Sequence, residues 1–267
     1  QGIEPPPPSR LQVRTGGVTP VAGVSAERYD KDEAIREAAR CLKCDCFECL
    51  NACEMMQSFN KLPRRIVSDV RVTLNAVDKL TQRVATRLLS SCSLCGLCGS
   101  VCSEHIDMGG FLLEARRIMH REGTLPPVFH DFWIRDLQFT QGEQACLARN
   151  APGHDVSDYL FFPGCQLGAS DPAYVELAYR YLLERHPRTG IILGCCGVPA
   201  EWAGDEPLAG ATADGIRDRW QTMGRPTVIL ACPTCRKMFR HRLPEIPTTY
   251  LYEVIARQGL PTVRAAG

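Results

Sequence analysis

Long apolar runs are missing from this chain. No stretch of its 267 residues approaches the roughly 18 to 20 consecutive apolar positions that cross a bilayer, and no basic-then-apolar leader opens it. The expectation is a protein without a transmembrane segment, located in the cytoplasm. An excess of one charge sign is missing too: 31 Lys and Arg face 30 Asp and Glu, for a formal net charge of +1. Phosphate backbones demand a basic face, so nucleic acid is excluded as a partner, leaving proteins or small molecules. Aromatics make up only 7%. What the chain has in quantity is sulfur, with 15 cysteines. Disulfide frameworks belong mainly to short secreted chains that cannot build a core, and this chain is long enough to build one. Reduced, spaced cysteines in a cytoplasmic protein usually hold metal.

The chain opens with QGIEPPPPSRLQVRTGG, rich in Pro and Gly and without helical or strand periodicity. Residues 1–29 read as an extended linker or tail, and the absence of an initial Met points to a piece of a longer polypeptide. Asp30 and Glu33 then have the form of a capping box for the helix EAIREAARCLKC. A second helix is expected over SDVRVTLNAVDKLTQRVATRLLSSC, capped by Ser68, with Val70, Leu74, Val77, Leu80, Val84 and Leu88 on one face. A third, FLLEARRIMHREG, stops near Gly123. Residues 30–123 thus read as a small helical domain with cysteines at both ends of its central helix.

Residues 124–157 are weakly periodic and read as a structured connection. Beyond them YLFFPGC, GIILGCCG and TVILACPTC are short apolar runs that each lead into cysteine, separated by helical patterns such as DPAYVELAYRYLLERH. Strand alternating with helix implies a parallel α/β layer over 158–267, closed by the strand-to-helix segment TYLYEVIARQG. The fold class is therefore α plus α/β: a helical domain followed by a parallel-sheet domain.

Cys92, Cys95, Cys98 and Cys102 follow the spacing CxxCxxCxxxC. Three closely spaced thiolates converge on one iron–sulfur cube, while the fourth reaches a neighbouring one. CLKCDCFECLNACE supplies the partner set, but its Cys41, Cys44, Cys46, Cys49 and Cys53 exceed four by one. In the preferred register Cys41, Cys44, Cys49 and Cys102 hold one cubane 4Fe-4S cluster, and Cys92, Cys95, Cys98 and Cys53 hold the other. Cys46 is then a substitute ligand or a spare thiol. The ferredoxin pattern has Pro after the last cysteine, where this chain has Ser103 and Glu54. The region from about Asp30 to Gly123 resembles the helical dicluster ferredoxin domain found in heterodisulfide reductases and in related respiratory iron–sulfur proteins. RCLKC is also similar to the iron–sulfur segment of glutamate-synthase-type flavoproteins.

Cys165, Cys195, Cys196, Cys232 and Cys235 fall in GC, CCG and CPTC motifs at the carboxyl ends of the three expected strands. In an open parallel sheet those ends line the ligand crevice, so the thiols should converge. Residues 158–262 resemble the cysteine-rich CCG domain of heterodisulfide reductases, and that resemblance implies a non-cubane 4Fe-4S cluster on these five cysteines. Simple packing of small buried cysteines, a zinc site, or a redox disulfide at Cys232 and Cys235 are the alternatives. The heterodisulfide reductase polypeptide with this domain carries two CCG motifs, whereas the sequence here shows one. His105 has the position to tune a cluster by hydrogen bonding. Arg40, Arg64, Arg65 and Arg236 flank cysteine segments, Trp202 and Asp205 read as packing or capping residues, and Cys146 reads as a core residue.

Together these readings give an electron-transfer component of an anaerobic oxidoreductase, with two cubane clusters and one non-cubane cluster. Its partners would be other redox subunits, above all a flavoprotein or an upstream flavin domain, with a disulfide or thiol as candidate substrate. Two alternatives stand beside it: an iron–sulfur subunit of a hydroxyacid or glycerol-3-phosphate oxidising complex that delivers electrons to quinone, and a zinc-stapled interaction module.

Overall fold

The computed structural model describes residues 30–39, 46–75, 83–102, 104 and 106–260. The linker expected over 1–29 lies outside them, as do Arg40, Cys41, Cys44 and His105. The chain divides into two compact units, one up to Ile118 and one from Met119.

The first unit is helical. α1 (Lys31–Ala39) opens with the expected capping box: the Glu33 amide donates to Asp30 Oδ1 at 2.7 Å and the Asp30 amide to Glu33 Oε2 at 2.9 Å. Short helices α2 (Glu48–Ala52) and α3 (Glu54–Phe59) follow. The long second helix expected from sequence is not continuous. α4 (Pro63–Leu74) begins five residues before Ser68, at a proline suited to the first turn, and ends at Asn75. α5 (Thr86–Ser91) starts only after Ala85, and residues 76–82 lie outside the described ones. Thr73 ties the two helices, donating from Oγ1 to the Asp69 carbonyl and accepting the Ala85 amide, both at 2.9 Å. The break has a consequence for the cysteines. An unbroken helix of that length would hold its ends about 37 Å apart at 1.5 Å per residue. Instead α5 packs against α3 and α4, and α2 lies along α6 (Leu97–Val101). Ile66, Val70, Leu88, Leu89 and Leu112 are fully buried, the last on α7 (Met108–Arg121). Val84, expected on the apolar face, is 53% exposed.

The second unit is a three-layer α/β structure. Its five-stranded sheet has the order β1-β3-β2-β4-β5, with β1 at Leu147–Arg149, β2 at Tyr159–Phe162, β3 at Thr189–Leu193, β4 at Thr227–Leu230 and β5 at Thr248–Tyr250. The strands β3, β2, β4 and β5 are parallel, and β1 pairs antiparallel with β3. Alternate side chains serve opposite faces. Leu160, Phe162, Val228 and Leu230 pack under Ile216 and Trp220 of α12 (Glu206–Thr222) and Phe239 of α13 (Pro233–Arg242). Phe161, Ile191 and Ile229 pack against Tyr181 and Leu182 of α10 (Pro172–Arg185) and Val254 of α14 (Leu251–Gln258). Strands covered on both faces are apolar throughout, which is why they read as runs and not as alternations.

The segment read as a connection carries regular structure: a 3-10 turn at Pro127–Phe129, then α8 (Asp131–Gln141), then the edge strand β1. Its apolar spacing is weak because α8 offers the core little besides Leu137, with Phe132, Trp133 and Phe139 exposed. Among the described residues, no helix is long and apolar enough to cross a membrane.

Candidate metal centres

In the first unit α2 and α6 carry the same cysteine pattern. Each has a cysteine at its second position, Cys49 and Cys98, and each ends at another, Cys53 and Cys102. Both terminal cysteines turn into extended backbone, at φ −120°, ψ 107° and φ −82°, ψ 126°. Because the two helices pack together, their thiols cross over. Cys49 lies within electrostatic reach of Cys46, Cys102 and Cys98, whereas Cys92 faces Cys53 and Cys98, and Cys98 also faces Cys53 and Cys95. The structure thus brings the closing cysteine of each helix to the thiols of the other. In the loop between Cys92 and Gly96, the buried Leu94 is held at φ 56° and Gly96 at φ 80°. Such a backbone for a leucine persists only where surrounding structure enforces it.

Burial pushes the Cys49 thiol up to about 11, with Cys46, Cys102 and Cys98 adding to the shift. Burial likewise raises Cys92 and Cys98. Crowded thiols resist becoming neighbouring anions, and a cationic metal core removes that resistance. Beside Cys92 stands Arg116 of α7, only 1% exposed. Its Nε donates to the Leu89 carbonyl at 2.7 Å and its Nη2 to the Cys92 carbonyl at 2.5 Å. Burial lowers its pKa to about 10, which leaves the guanidinium charged at neutral pH. Nothing in EARRIMHR distinguishes Arg116 from the other arginines of α7. Among the arginines that flank cysteine segments, Arg65 pairs with the buried Asp69 at 3.1 Å and Arg236 with Glu253 at 3.1 Å.

In the second unit three adjacent parallel strands deliver five thiols to one place. β2 leads through Pro163 to Cys165, near the start of α9 (Gly164–Ser170). β3 leads through Gly194 to Cys195 and Cys196, just before α11 (Val198–Ala203). β4 leads to Cys232, which caps α13, and then to Cys235 in its first turn. The chain moves from β2 to β3 on one side and then to β4 on the other, so the site sits at the switch point of the sheet. The sulfurs form a chain of contacts. Cys165 interacts with Cys195, Cys195 with Cys196, and Cys235 with both Cys196 and Cys232.

The electrostatics follow that order. The contacts to Cys195 and Cys196, with burial, raise Cys165 and Cys235 respectively. The Cys165 contact lowers Cys195, but its contact with Cys196 and its burial outweigh that and bring it to about 12. Contacts from Cys195 and Cys235 depress Cys196. Cys235 likewise pulls Cys232 down to about 5, helped by the amides of Cys235 and Thr234 and by the Thr234 hydroxyl. Those donors belong to the first turn of α13, and the Gly197 and Val198 amides serve Cys195 and Cys196 in the same way. Without a metal only part of this set ionises readily, whereas thiolate ligands must all be deprotonated.

Two further features show that the space is shaped around the sulfurs. Gly164, at φ 70°, has no side chain, and a Cβ there would stand 2.8 Å from the Cys235 sulfur. The Cys195 carbonyl accepts from Gln141 Nε2 of α8 at 3.1 Å, and Leu137 of α8 packs against Cys195. Gln141 lies in the stretch read as a connection, so no signal marked it. Trp202 packs on the core and Asp205 caps α12, accepting from the Leu208 amide at 3.0 Å. Cys146 stands beside Gly194, immediately before β1. Among the described residues, no three His, Cys, Asp or Glu side chains close on a point as a single metal ion requires.

Comparison with known families falls on the same two regions. Residues 40–107 match the family model of a 4Fe-4S dicluster domain. Residues 159–240 match that of a Cysteine-rich domain. Both matches support a redox iron–sulfur component. No curated protein and no solved structure matches the chain.

Proposed function

We propose that the chain is an electron-transfer component resembling heterodisulfide reductase, in which two cubane 4Fe-4S clusters exchange electrons with one non-cubane 4Fe-4S cluster. The observation that carries this reading is the convergence of Cys165, Cys195, Cys196, Cys232 and Cys235 from three parallel strands around a position where only glycine fits. In the first unit, Cys92, Cys95, Cys98 and Cys53 would hold one cubane cluster. Cys49 and Cys102 would hold the other, with the remaining ligands drawn from Cys41, Cys44 and Cys46. The equivalence of α2 and α6 favours Cys46, because Cys46, Cys49 and Cys53 repeat the spacing of Cys95, Cys98 and Cys102.

When bound, the clusters supply one-electron redox chemistry. The protein's own residues position and tune. The first-turn amides of α13 and the Thr234 hydroxyl stabilise Cys232 as a thiolate, the glycine-lined turns let backbone approach the sulfurs, and Arg116 places positive charge beside Cys92. Cys165 is the exposed member of its set, whereas Cys195, Cys196 and Cys235 are buried. Substrate or partner contact therefore comes from the Cys165 side. The partner is another redox subunit, with a flavoprotein as the first choice, and the candidate substrate is a disulfide or its thiols.

Anaerobically matured protein tests this reading. Three clusters require about twelve iron and twelve acid-labile sulfide per chain, from four per cluster. Electron paramagnetic resonance during a redox titration should resolve three centres, one of which changes when a disulfide is added. Colourless protein without sulfide, or zinc in place of iron, would refute it.

A further inference from the structure

The second unit has a slot of about 390 Å³ beside Cys165. Its walls include Thr140, Pro163, Cys165, Pro172, Val175 and Leu193. Of the five converging thiols only Cys165 lines it, so the slot adjoins the sulfur nest on its open side and is not the nest itself. Among the described residues, no Lys, Arg, His, Asp or Glu belongs to the wall. The Thr140 hydroxyl is already turned inward, donating to the Leu137 carbonyl at 2.8 Å. Gly168 also lines the slot; a Cβ there would meet Val175 Cγ2 at 3.6 Å, so the glycine leaves open a space that ordinary packing would fill.

A wall of this kind has a definite preference. A carboxylate, sulfonate or phosphate entering it would give up water and find no cationic side chain among the described wall residues, whereas an apolar body would gain by burial. The volume lies near the lower end of small-molecule sites, at the size of a single ring with a short arm. We propose that this slot is the substrate site of the five-thiol centre and that it takes an uncharged, compact, largely apolar molecule. The proposal rests on the functional reading above and narrows it. A neutral organic disulfide and a quinone ring share this chemistry, and anionic disulfides fall outside it.

The test uses the full chain, anaerobically loaded, with matched neutral and anionic probes measured by titration calorimetry. Lipoamide is paired with lipoate, and naphthoquinone with naphthoquinone sulfonate. The neutral member of at least one pair should bind tenfold or more tightly than its anionic partner, and the pair that does so identifies the source. Gly168→Leu should abolish that binding by filling the slot. Val175→Lys should invert the preference, and both variants should keep wild-type iron and sulfide. Full iron content with equal or preferential binding of the anions, or with no binding of either neutral probe, overturns the slot and leaves the electron-transfer reading standing. Binding that survives Gly168→Leu also overturns it. A chain that takes up no iron and sulfide removes the functional reading and the slot's role together.

Discussion

Gly164 shows how little room a single residue has at the thiol nest. One methyl there would meet the Cys235 sulfur at 2.8 Å, and the backbone at φ 70° already disfavours any side chain. Gly164→Ala should therefore lower iron and sulfide by about four atoms each per chain, with far-ultraviolet circular dichroism unchanged. Equal loss from all centres would show global misfolding instead. Arg116 presents the opposite case, a large charged side chain fully enclosed and bonded to two carbonyls beside a candidate ligand. Arg116→Met strands both acceptors and should cost about 2–6 kcal/mol in urea unfolding, at about 1–3 kcal/mol per lost partner. It should also lower the midpoint potential of one cluster by removing nearby positive charge. Arg116→Lys should recover the potential better than the stability, because lysine restores charge without the planar fork.

At the scale of elements, the helices that follow the CCG and CPTC turns are locked to each other. Arg242 of α13 bonds Glu201 of α11, with Nε at 2.9 Å from Oε2, and reaches Glu206 of α12 at 3.0 Å. Glu201 is only 8% exposed. Arg242→Met removes the charged partner of that buried carboxylate and should destabilise the second unit by about 3 kcal/mol, measured by denaturant unfolding. Arg242→Met combined with Glu201→Leu should recover part of the loss. The start of α14 makes a pH prediction. Glu253 accepts from the Tyr250 amide at 3.0 Å, from Thr249 Oγ1 at 2.8 Å and from Arg236, and these bonds hold its pKa at about 2, below its ordinary 4.5. A depressed carboxylate contributes stability that is complete above the unfolded value and fades as pH falls through the folded one. The difference in urea midpoint between wild type and Glu253→Gln should thus be constant from pH 7 to about 5 and shrink towards pH 2.

At the scale of the whole chain, the two compact units divide the cysteines between them, nine by sequence before Ile118 and six after it. A chain starting at Thr124 keeps all five converging thiols together with α8 and β1. After anaerobic maturation it should hold about four iron and four sulfide, counted by metal analysis. A chain starting at Pro163 lacks β1, β2 and the Gln141 support and should hold none.

Sequence alone marked the cysteines as the candidate ligands. Spaced cysteines with glycine at the turns, and apolar runs that each end in sulfur, state their purpose locally, because ligand spacing and strand length are properties of neighbouring residues. Tertiary structure decided what no local pattern encodes. The break between α4 and α5 comes with Thr73 bridging to Ala85, the helix at Asp131–Gln141 is weakly periodic because it buries so little, and Arg116 and Gln141 act through carbonyls 24 to 27 and 54 residues away. The uncharged slot beside Cys165 is of the same kind: its walls come from separate elements and turns, and an absence of charge at one place exists only once the chain has folded around it.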